Sequence, residues 1–347
     1  MLPEGLRMSG NTIRSTGRAR MEDVARHAGV SMITISRVLR TPERVAEDTR
    51  ERVLRAIRET GYVPNLVAGS LASNRTYSIL ALVPTLTNPV FGQTLHALEE
   101  VLRRHGFHLL LGNSGNSPEE EEALLAKFLA RRPDGIFLHN TRHTPATRRL
   151  LARAAVPIVE TGDLTRMPAD MVVSYSNFAA GKAMTAYLLD KGYRRIGFVG
   201  AVQRVNERAR QRCRGYLAAL RQAGVSPDPA LIVETTLGPR QGAEALLSLL
   251  GRRPPAEAVF FAGDVWALGA LLECQRKGWP VPRRVAIVGF DDQEIAAEVI
   301  PPLTTVRVPR AEIGRRAAEM LLARLRGKPV SPRKEDLGFR IVTRASA

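Results

Sequence analysis

The 347-residue sequence predicts an all-α helix-turn-helix head followed by an α/β body made of two doubly wound subdomains. Three observations lead to this prediction. A helical pattern near the N-terminus is broken by Gly29, and short apolar runs then alternate with helical patterns in two successive series. The length also exceeds the usual size of one domain, so a small head and a larger body are expected.

The head is predicted from the stretch that begins at residue 22. Val24, Ala25 and Ala28 recur at helical spacing, and Gly29 can adopt the positive φ of a tight turn. Ser31 stands where a hydroxyl caps a second helix. The pattern therefore predicts helix, tight turn, helix.

The second helix has the character of a helix that enters the major groove of DNA. It begins with short polar side chains, carries Arg37 on its polar side and turns Val38 and Leu39 inward. The alternative is an ordinary helical hairpin that packs a small core. A further segment, Pro64 to Leu71, favours the DNA-binding interpretation.

The body is predicted from apolar runs that suit strands buried on both faces. The first series lies at 79–83, 107–111, 135–138 and 156–159, and the second at 196–199, 232–233, 258–261 and 285–288. Strands that alternate with helices form parallel sheets, and two series indicate two subdomains. Ligands bind beside the carboxyl ends of such strands, so the cleft between the subdomains is the predicted ligand site.

The charge agrees with a polyanionic partner. The chain has 51 lysines and arginines against 34 acidic residues, a formal net charge of +17, and such a surplus attracts nucleic acid. The first 76 residues, however, contain thirteen arginines and no lysine against eight acidic residues. Much of the charge therefore belongs to the body, where a solvated basic surface is the simpler interpretation.

The chain is expected to be cytoplasmic, with no membrane partner, cofactor or metal. Cys213 and Cys274 are far apart without metal-ligand spacing, which is typical of reduced thiols. No apolar run reaches the ~18 residues of a membrane span, and no signal peptide is recognisable.

Several motifs, in order, resemble the lactose-repressor type family of bacterial transcription regulators over nearly the whole chain. The motifs are Asp23-Val24-Ala25, Ala28-Gly29-Val30-Ser31, Ser36-Arg37-Val38-Leu39, Gly61-Tyr62-Val63-Pro64-Asn65, Val288-Gly289-Phe290-Asp291-Asp292 and Pro302-Leu303-Thr304-Thr305-Val306. Within the family the chain is most similar to gluconate and idonate repressors. That likeness rests on Arg142-His143-Thr144-Pro145, Pro157-Ile158-Val159-Glu160, Glu273-Cys274-Gln275-Arg276 and Asp336-Leu337-Gly338-Phe339.

The resemblance implies a periplasmic-binding-protein-like body and a specific domain order. Residues 1–19 are expected to form a disordered arm, 20–63 the head, 64–76 a hinge helix and linker, and 77–347 the effector-binding and dimerisation domain. Subdomain one would comprise about 77–175 and 306–331, and subdomain two about 176–305 and 332–347. The expected function is that of a homodimeric repressor that binds double-stranded operator DNA under the control of a small sugar acid such as gluconate.

The resemblance also implies which residues contact DNA. The full expected set is Arg20, Ser31, Met32, Ile33, Thr34, Ser36, Arg37, Asn65, Val67, Ala68 and Leu71. Met32 and Ile33 match the family positions that set operator choice, and as apolar side chains they can only pack against apolar base edges. Arg37 can donate two hydrogen bonds to a guanine. Leu71 matches a leucine that wedges between base steps, or else packs against its dimer mate.

Three positions depart from the family pattern. Arg20 stands where a threonine usually caps the first helix, and Ala46 replaces a serine that contacts phosphate. Gly69 replaces a larger hinge residue and lowers helix stability by roughly 0.8–1.0 kcal/mol relative to alanine, so the hinge should depend more on DNA for its order.

The expected effector site comprises Thr85, Asn88, Phe91, Glu160, Arg212 and Asp291, each at or near a strand end or matching a family position. Arg212 would hold a carboxylate, while Glu160 and Asp291 would accept hydroxyl hydrogen bonds. The alternative for Arg212 and Asp291 is a salt bridge that only braces the cleft. Gly263 departs from the asparagine or threonine often found before Asp264 in the family, so one polar contact is expected to be either missing or replaced by water.

Two rival classes are less well supported. A transport-type sugar-binding protein would share the body but have a signal peptide and no head. An enzyme on a doubly wound fold would show a phosphate loop, a nucleophile elbow or a metal-spaced histidine pair, and none is present in the sequence.

Overall fold

The computed structural model describes residues 19–63 and 75–347, and the chain divides into two compact units between Asn74 and Arg75. Most of the predicted arm and hinge lies outside the described residues. So do four of the residues expected to contact DNA: Asn65, Val67, Ala68 and Leu71.

The first unit contains the predicted helical head. Its helices are α1 (Met21–Ala28), α2 (Met32–Arg40) and α3 (Glu47–Thr60), with a 3-10 turn at Pro42–Arg44. Gly29 ends α1 with φ of 65°, which confirms the predicted tight turn. The core contains Val24, Ala28, Ile35, Val38, Val53, Ala56 and Tyr62.

Each head helix begins differently. Ser31 Oγ accepts a hydrogen bond of 3.2 Å from the Thr34 amide, the predicted cap of α2. At α1 the side-chain acceptor lies inside the helix instead of before it: the main-chain amide of Arg20, the residue before the helix, donates to Asp23 Oδ2 at 2.8 Å. Ala46 supplies no side-chain cap to α3. The head thus compensates for one of its two missing caps through an acidic residue in the first turn.

The second unit is an α/β body. Its strands are β1 (Ser78–Val83), β2 (His108–Asn113), β3 (Gly135–Leu138), β4 (Ile158–Glu160), β5 (Met171–Ser174), β6 (Ile196–Gly200), β7 (Ile232–Glu234), β8 (Ala258–Phe261), β9 (Ala286–Val288), β10 (Thr305–Arg307), β11 (Lys334–Asp336) and β12 (Arg340–Val342). Its helices are α4 (Val90–Arg104), α5 (Pro118–Leu129), α6 (Pro145–Arg153), α7 (Asn177–Asp190), α8 (Glu207–Gln222), α9 (Pro239–Leu250), α10 (Asp264–Arg276), α11 (Ile295–Glu298) and α12 (Arg310–Leu325), with a 3-10 turn at Pro229–Leu231.

Ten of the described strands form two parallel sheets. The first has the order β11-β5-β4-β3-β1-β2 and the second the order β7-β6-β8-β9. The strand order reverses between β1 and β3 in the first sheet and between β6 and β8 in the second, as in doubly wound folds. The predicted fold class, a helical head plus an α/β body of two doubly wound subdomains, is confirmed.

The first sheet is buried on both faces, which explains its continuous apolar runs. Along β1, Ile79, Ala81 and Val83 join the core beneath α4 and α12. Leu80 and Leu82 point to the other face and pack with residues of α5 and α6. Because neither face of such a strand meets solvent, its sequence does not alternate between apolar and polar residues.

The chain crosses between the subdomains more than once. β10 and β12 pair antiparallel at the junction, and Asp291 makes an isolated bridge with Arg307. β11 pairs with β5, so residues 334–336 belong to the first sheet, whereas the sequence placed 332–347 in subdomain two. The short, polar and partly exposed Lys334-Glu335-Asp336 gives no apolar signal that would reveal an edge strand.

In the described part of the chain, no helix is both long enough and apolar enough to span a lipid bilayer.

Candidate ligand cavity and DNA-reading face

The N-terminal turn of α2 presents an unusual apolar surface. Met32 is 49% exposed and Ile33 is 66% exposed, whereas the neighbouring Ile35 is fully buried in the head core. Met32 and Ile33 are therefore not part of the hydrophobic core of the head. Large apolar side chains exposed at the start of a second helix are available to contact a partner.

The polar residues expected at the DNA surface flank these two side chains. Arg37 is exposed on α2, and Ser36 is partly exposed one residue before it. Arg20 is exposed before α1. Ser31 Oγ is bonded to Thr34 Oγ1 at 3.0 Å as well as to the Thr34 amide. Both hydroxyls therefore already have a partner within the head.

A cavity of about 320 Å³ opens at the carboxyl ends of strands from both sheets. Its volume lies within the usual range for small-molecule sites. Its lining includes Thr85, Thr87, Asn88, Phe91, Asn116, His139, Tyr175, Asn206, Arg208, Arg212, Ala262, Gly263, Trp266, Asp291 and Arg310. The structure thus brings together five of the six predicted effector residues: Thr85, Asn88, Phe91, Arg212 and Asp291.

Glu160 is the exception, because the structure does not place it in this cavity. It is fully buried and absent from the cavity wall. Its carboxylate accepts from the Ala169 amide at 3.0 Å and faces His143 Nε2 at 2.8 Å. The other ring nitrogen of His143 lies 2.5 Å from Glu121 Oε1. Glu160 therefore belongs to a buried carboxylate–imidazole–carboxylate cluster inside the first subdomain.

This cluster perturbs the histidine. Burial by itself lowers the pKa of His143, but the carboxylates of Glu121 and Glu160 outweigh it and raise the pKa to about 9. His143 is consequently a cation at neutral pH. Asn140 donates to Glu121 at 2.6 Å and connects the cluster to the loop after β3.

Arg212 is fixed on three sides. Its Nε donates to Asn177 Oδ1 at 2.8 Å, and its Nη1 donates to the main-chain oxygen of Ala262 at 2.5 Å. Nη2 lies 3.4 Å from the Tyr175 hydroxyl, and the guanidinium carbon stacks 3.7 Å from the centre of the Phe290 ring. The structure records no salt bridge between Arg212 and Asp291, so the predicted alternative of a brace between them is wrong.

Close helix packing sets the position of Arg212. A Cβ on Gly215 would lie 2.2 Å from the main-chain oxygen of Phe178, and a Cβ on Gly181 would lie 2.3 Å from that of Arg212. Any larger residue would push α8 away from α7. The two glycines therefore hold Arg212 next to Asn177, its partner on α7.

Arg208 lies one turn before Arg212 on α8 and is buried. Nη1 donates to the main-chain oxygen of His139 at 3.0 Å and to Asn140 Oδ1 at 2.8 Å, while Nη2 donates to Asn116 Oδ1 at 3.2 Å. Burial, followed by repulsion from Arg212, lowers the pKa of Arg208 to about 10, so it remains charged at neutral pH.

Asp291 and Arg310 form a buried ion pair at the cavity wall. Burial raises the pKa of Asp291, against the opposing effect of Arg310, Arg212 and Arg208. Asp291 has φ of 123°, a conformation that L-residues rarely adopt, and its amide donates to the Val306 oxygen at 2.9 Å. Backbone strain of this kind persists only where the surrounding structure enforces it.

His139 lines the cavity beside these arginines, and its imidazole ring is neutral. Burial, and then the charges of Arg208, Arg310 and Arg212, hold its pKa well below the usual range. Its ring meets Phe91 edge to face, with centroids 4.7 Å apart. Thr161 Oγ1 lies 2.9 Å from its Nδ1, so the ring is fixed from behind.

Sequence reasoning missed Arg208, Arg310 and His139. One signal for Arg208 was present, because residues four apart on a helix share a face and Arg208 precedes Arg212 by four. A second signal concerned Arg310, which opens α12, where a cation opposes the helix dipole. Gly263 lines the cavity without a side chain, and a Cβ there would lie 3.0 Å from the Trp266 ring.

Two family models match the chain. "Bacterial regulatory proteins, lacI family" matches residues 20–65, and "Periplasmic binding protein-like domain" matches residues 185–347. Over 338 residues the chain is 40% identical to the HTH-type transcriptional regulator GntR of Pseudomonas aeruginosa, a match that covers 96% of this chain and 97% of that protein.

Solved structures give the same picture. A lacI-family transcriptional regulator from Silicibacter pomeroyi matches with a TM-score of 0.89 and 34% identity, covering 94% of this chain and 99% of that one. The transcription regulator GntR from Chromobacterium violaceum matches with a TM-score of 0.74 and 40% identity, covering 78% of this chain and 98% of that one.

Proposed function

Because the chain belongs to the lacI family of bacterial regulatory proteins, we propose that it is a repressor whose operator binding is controlled by a small sugar acid such as gluconate. The chain is a DNA-binding transcriptional regulator, and its curated relatives are regulators rather than enzymes. The match of residues 20–65 to the DNA-binding family also separates it from transport-type sugar-binding proteins.

The charge of the cavity is the observation that carries the proposal for a sugar acid. Three guanidinium groups line it, from Arg208, Arg212 and Arg310, and among the described lining residues Asp291 is the single carboxylate. A neutral sugar would leave this excess of positive charge unbalanced in a partly dehydrated space. An anionic effector would neutralise it, which favours a carboxylate-bearing ligand.

The rest of the wall suits a polyol. Thr85, Asn88 and Asn206 offer hydroxyl and amide groups, while Phe91 and Trp266 supply aromatic surface for a carbon chain. We assign Thr85, Asn88, Phe91, Arg212 and Asp291 to effector contact, and add Arg208 and Arg310. The alternative is a regulator that answers a neutral sugar or another metabolite.

On the DNA side, we propose that Met32 and Ile33 read apolar base edges and that Arg37 reads a guanine, with Arg20, Ser31, Thr34 and Ser36 near phosphates. The exposure of the two apolar side chains supports this assignment. The protein would act as a homodimer on a near-palindromic operator, with Asn65, Val67, Ala68 and Leu71 in the hinge contact. The hinge contact is an expectation from the sequence.

Two measurements test the proposal. DNA is first selected from a random pool by the purified protein, which gives the operator. Affinity for that operator is then measured by fluorescence anisotropy with gluconate, with other aldonic acids, and with glucose as the uncharged control. A coupling of about 1–3 kcal/mol corresponds to a roughly 5- to 150-fold loss of operator affinity at saturating effector.

The expected result is release by one or more sugar acids and no response to glucose. Equal responses to glucose and gluconate would show that the cationic wall does not select the effector. Absence of a selected DNA sequence would contradict the repressor assignment itself.

A further inference from the structure

The carboxylate-binding role fits Arg310 better than Arg212. Arg212 uses Nε, Nη1 and Nη2 for contacts with Asn177, Ala262 and Tyr175, and its face is covered by Phe290. A guanidinium held in this way has few donors left and cannot turn without breaking several bonds. Arg212 is therefore built as a brace between α7, α8 and the loop after β8.

Arg208 is committed in a similar way. Three of its hydrogen bonds run to His139, Asn140 and Asn116, all in the first subdomain, while Arg208 itself belongs to the second. Its contacts hold the two sides of the cleft together. Like Arg212, it contributes charge to the cavity but has a structural task.

Arg310 differs from both. Arg310 lines the cavity, and only 7% of its surface is exposed. Its Nη2 pairs with Asp291, yet its Nε–H has no hydrogen-bond partner among the described residues. Buried donors are nearly always satisfied in folded proteins, so an unpaired donor on a residue that lines the cavity points to a missing acceptor.

The geometry of the guanidinium group suggests what that acceptor is. Nε–H and the adjacent Nη–H lie along one edge of the planar group, the arrangement that binds a carboxylate through two parallel hydrogen bonds. Asp291 accepts from Nη2, which carries two N–H groups, so the second of these and Nε–H remain for a ligand carboxylate. A ligand carboxylate can therefore bind Arg310 beside Asp291, whose own position is fixed by the Val306 oxygen and a strained backbone.

We propose that Arg310 is the specificity-determining residue that selects a carboxylate-bearing effector, and that Asp291 accepts hydrogen bonds from the neighbouring hydroxyls. This inference rests on the proposed function and names the residue responsible for its acid specificity. It corrects the expectation that Arg212 holds the carboxylate. Arg212 instead shapes the cavity, so its loss should weaken acids and neutral polyols alike.

The test compares two ligands that differ only at the end of the chain. Gluconate and sorbitol both carry six carbons and a polyol, but sorbitol has no carboxylate. Isothermal titration calorimetry on the full-length protein measures both dissociation constants, and their ratio reports carboxylate recognition. Circular dichroism spectra and unfolding midpoints confirm that each variant is folded.

Four variants separate the roles. Arg310→Gln should weaken gluconate binding at least about tenfold, the effect of losing a charge-assisted hydrogen bond, and leave sorbitol within about threefold. Arg310→Lys keeps a cation opposite Asp291 but removes the planar fork, so gluconate should again weaken. Arg212→Gln should weaken both ligands in parallel. Arg315→Gln, on the exposed side of the same helix and paired with Glu312, is the matched control and should change neither.

The outcomes distinguish the inference from the proposed function. If wild-type protein prefers gluconate and both Arg310 variants retain that preference, Arg310 is not the selecting residue and the inference alone is wrong. If Arg212→Gln abolishes the preference while the Arg310 variants do not, the carboxylate belongs to Arg212. Wild-type protein that binds no carboxylate in a panel of sugar acids and simple carboxylates overturns both.

Discussion

Nη1 of Arg208 donates a hydrogen bond of 3.0 Å to the main-chain oxygen of His139. Arg208 lies on α8 of the second subdomain, and His139 directly follows β3 in the first. This contact therefore joins the two subdomains beside the cavity. Because Arg208 is buried and its guanidinium donates to His139, Asn140 and Asn116 of the first subdomain, opening the cleft would break these hydrogen bonds and expose the charge.

The packing of α7 on α8 gives the first prediction. Gly215→Ala places a methyl group 2.2 Å from the main-chain oxygen of Phe178. A backbone atom within a helix cannot move aside as easily as the end of a flexible side chain. We expect the free energy of unfolding to fall by about 1–3 kcal/mol or more, with weaker effector binding because Arg212 moves. Denaturant unfolding and calorimetry measure the two effects.

The matched control for that substitution is Gly92→Ala. Gly92 is exposed on α4 and a Cβ there would meet nothing within 4 Å, so alanine should stabilise the helix by roughly 0.5–1 kcal/mol. Similar effects of the two substitutions would contradict the close-packing argument.

The buried His143 cluster predicts a pH dependence of stability. The folded-state pKa of about 9 lies above the unfolded value of 6.5, so the native protein binds more protons between these pH values. The contribution of His143 is full below about pH 6.5 and disappears as the pH rises through 9. Its maximum is about 3 kcal/mol.

His143→Gln is the test of that dependence. Free energies of unfolding are measured from pH 6 to 10, and the wild-type curve should fall more steeply with pH than that of the variant. His96→Gln, which replaces an exposed histidine on α4, should behave as wild type. Parallel curves for wild type and His143→Gln would mean that the histidine is not charged in the native protein.

Met32 and Ile33 should govern DNA sequence preference without changing its salt dependence. Apolar base contacts release no counterions, whereas phosphate contacts do. Met32→Ala and Ile33→Ala are each expected to alter the selected DNA sequence and leave the slope of affinity against salt unchanged. A uniform loss on all DNA sequences would show that the two side chains act in some other way.

The Ser31 cap gives a prediction for the head. Ser31→Ala removes the side-chain acceptor of the Thr34 amide and leaves it only the Ser31 main-chain oxygen, at 3.0 Å. The substitution should destabilise α2 by about 1 kcal/mol, which corresponds to roughly fivefold faster hydrogen exchange of its amides. Hydrogen-exchange mass spectrometry on the full-length protein measures this. Ser36→Ala, within the same helix, is the control, and equal exchange in the two variants would argue against a capping role.

Much of the body could be predicted from the sequence because its strands are enclosed on both faces. A run such as Ile79-Leu80-Ala81-Leu82-Val83 reports this directly, since every side chain must be apolar. The edge strand Lys334–Asp336 could not be found in this way. It is polar, three residues long and largely exposed, and its place depends on pairing with β5 far back in the chain.

The residues of the candidate ligand site were likewise predictable only in part. Strand ends predicted Thr85, Asn88, Phe91 and Asp291, because the carboxyl edge of a parallel sheet is fixed by topology. Glu160 also follows that rule but is turned inward by His143, a partner that spacing alone does not reveal. Arg310 is one of 51 basic residues, and only three-dimensional burial separates it from those on the surface.

The interleaved subdomains have a consequence for protein synthesis. Tyr62 is the last residue of the head core to be synthesised, but the first sheet gains its edge strand only after residues 334–336 have been made. At about 5–20 residues per second, that interval is roughly tens of seconds. A nascent chain therefore carries a complete helical head well before the ligand-sensing unit that governs it can assemble.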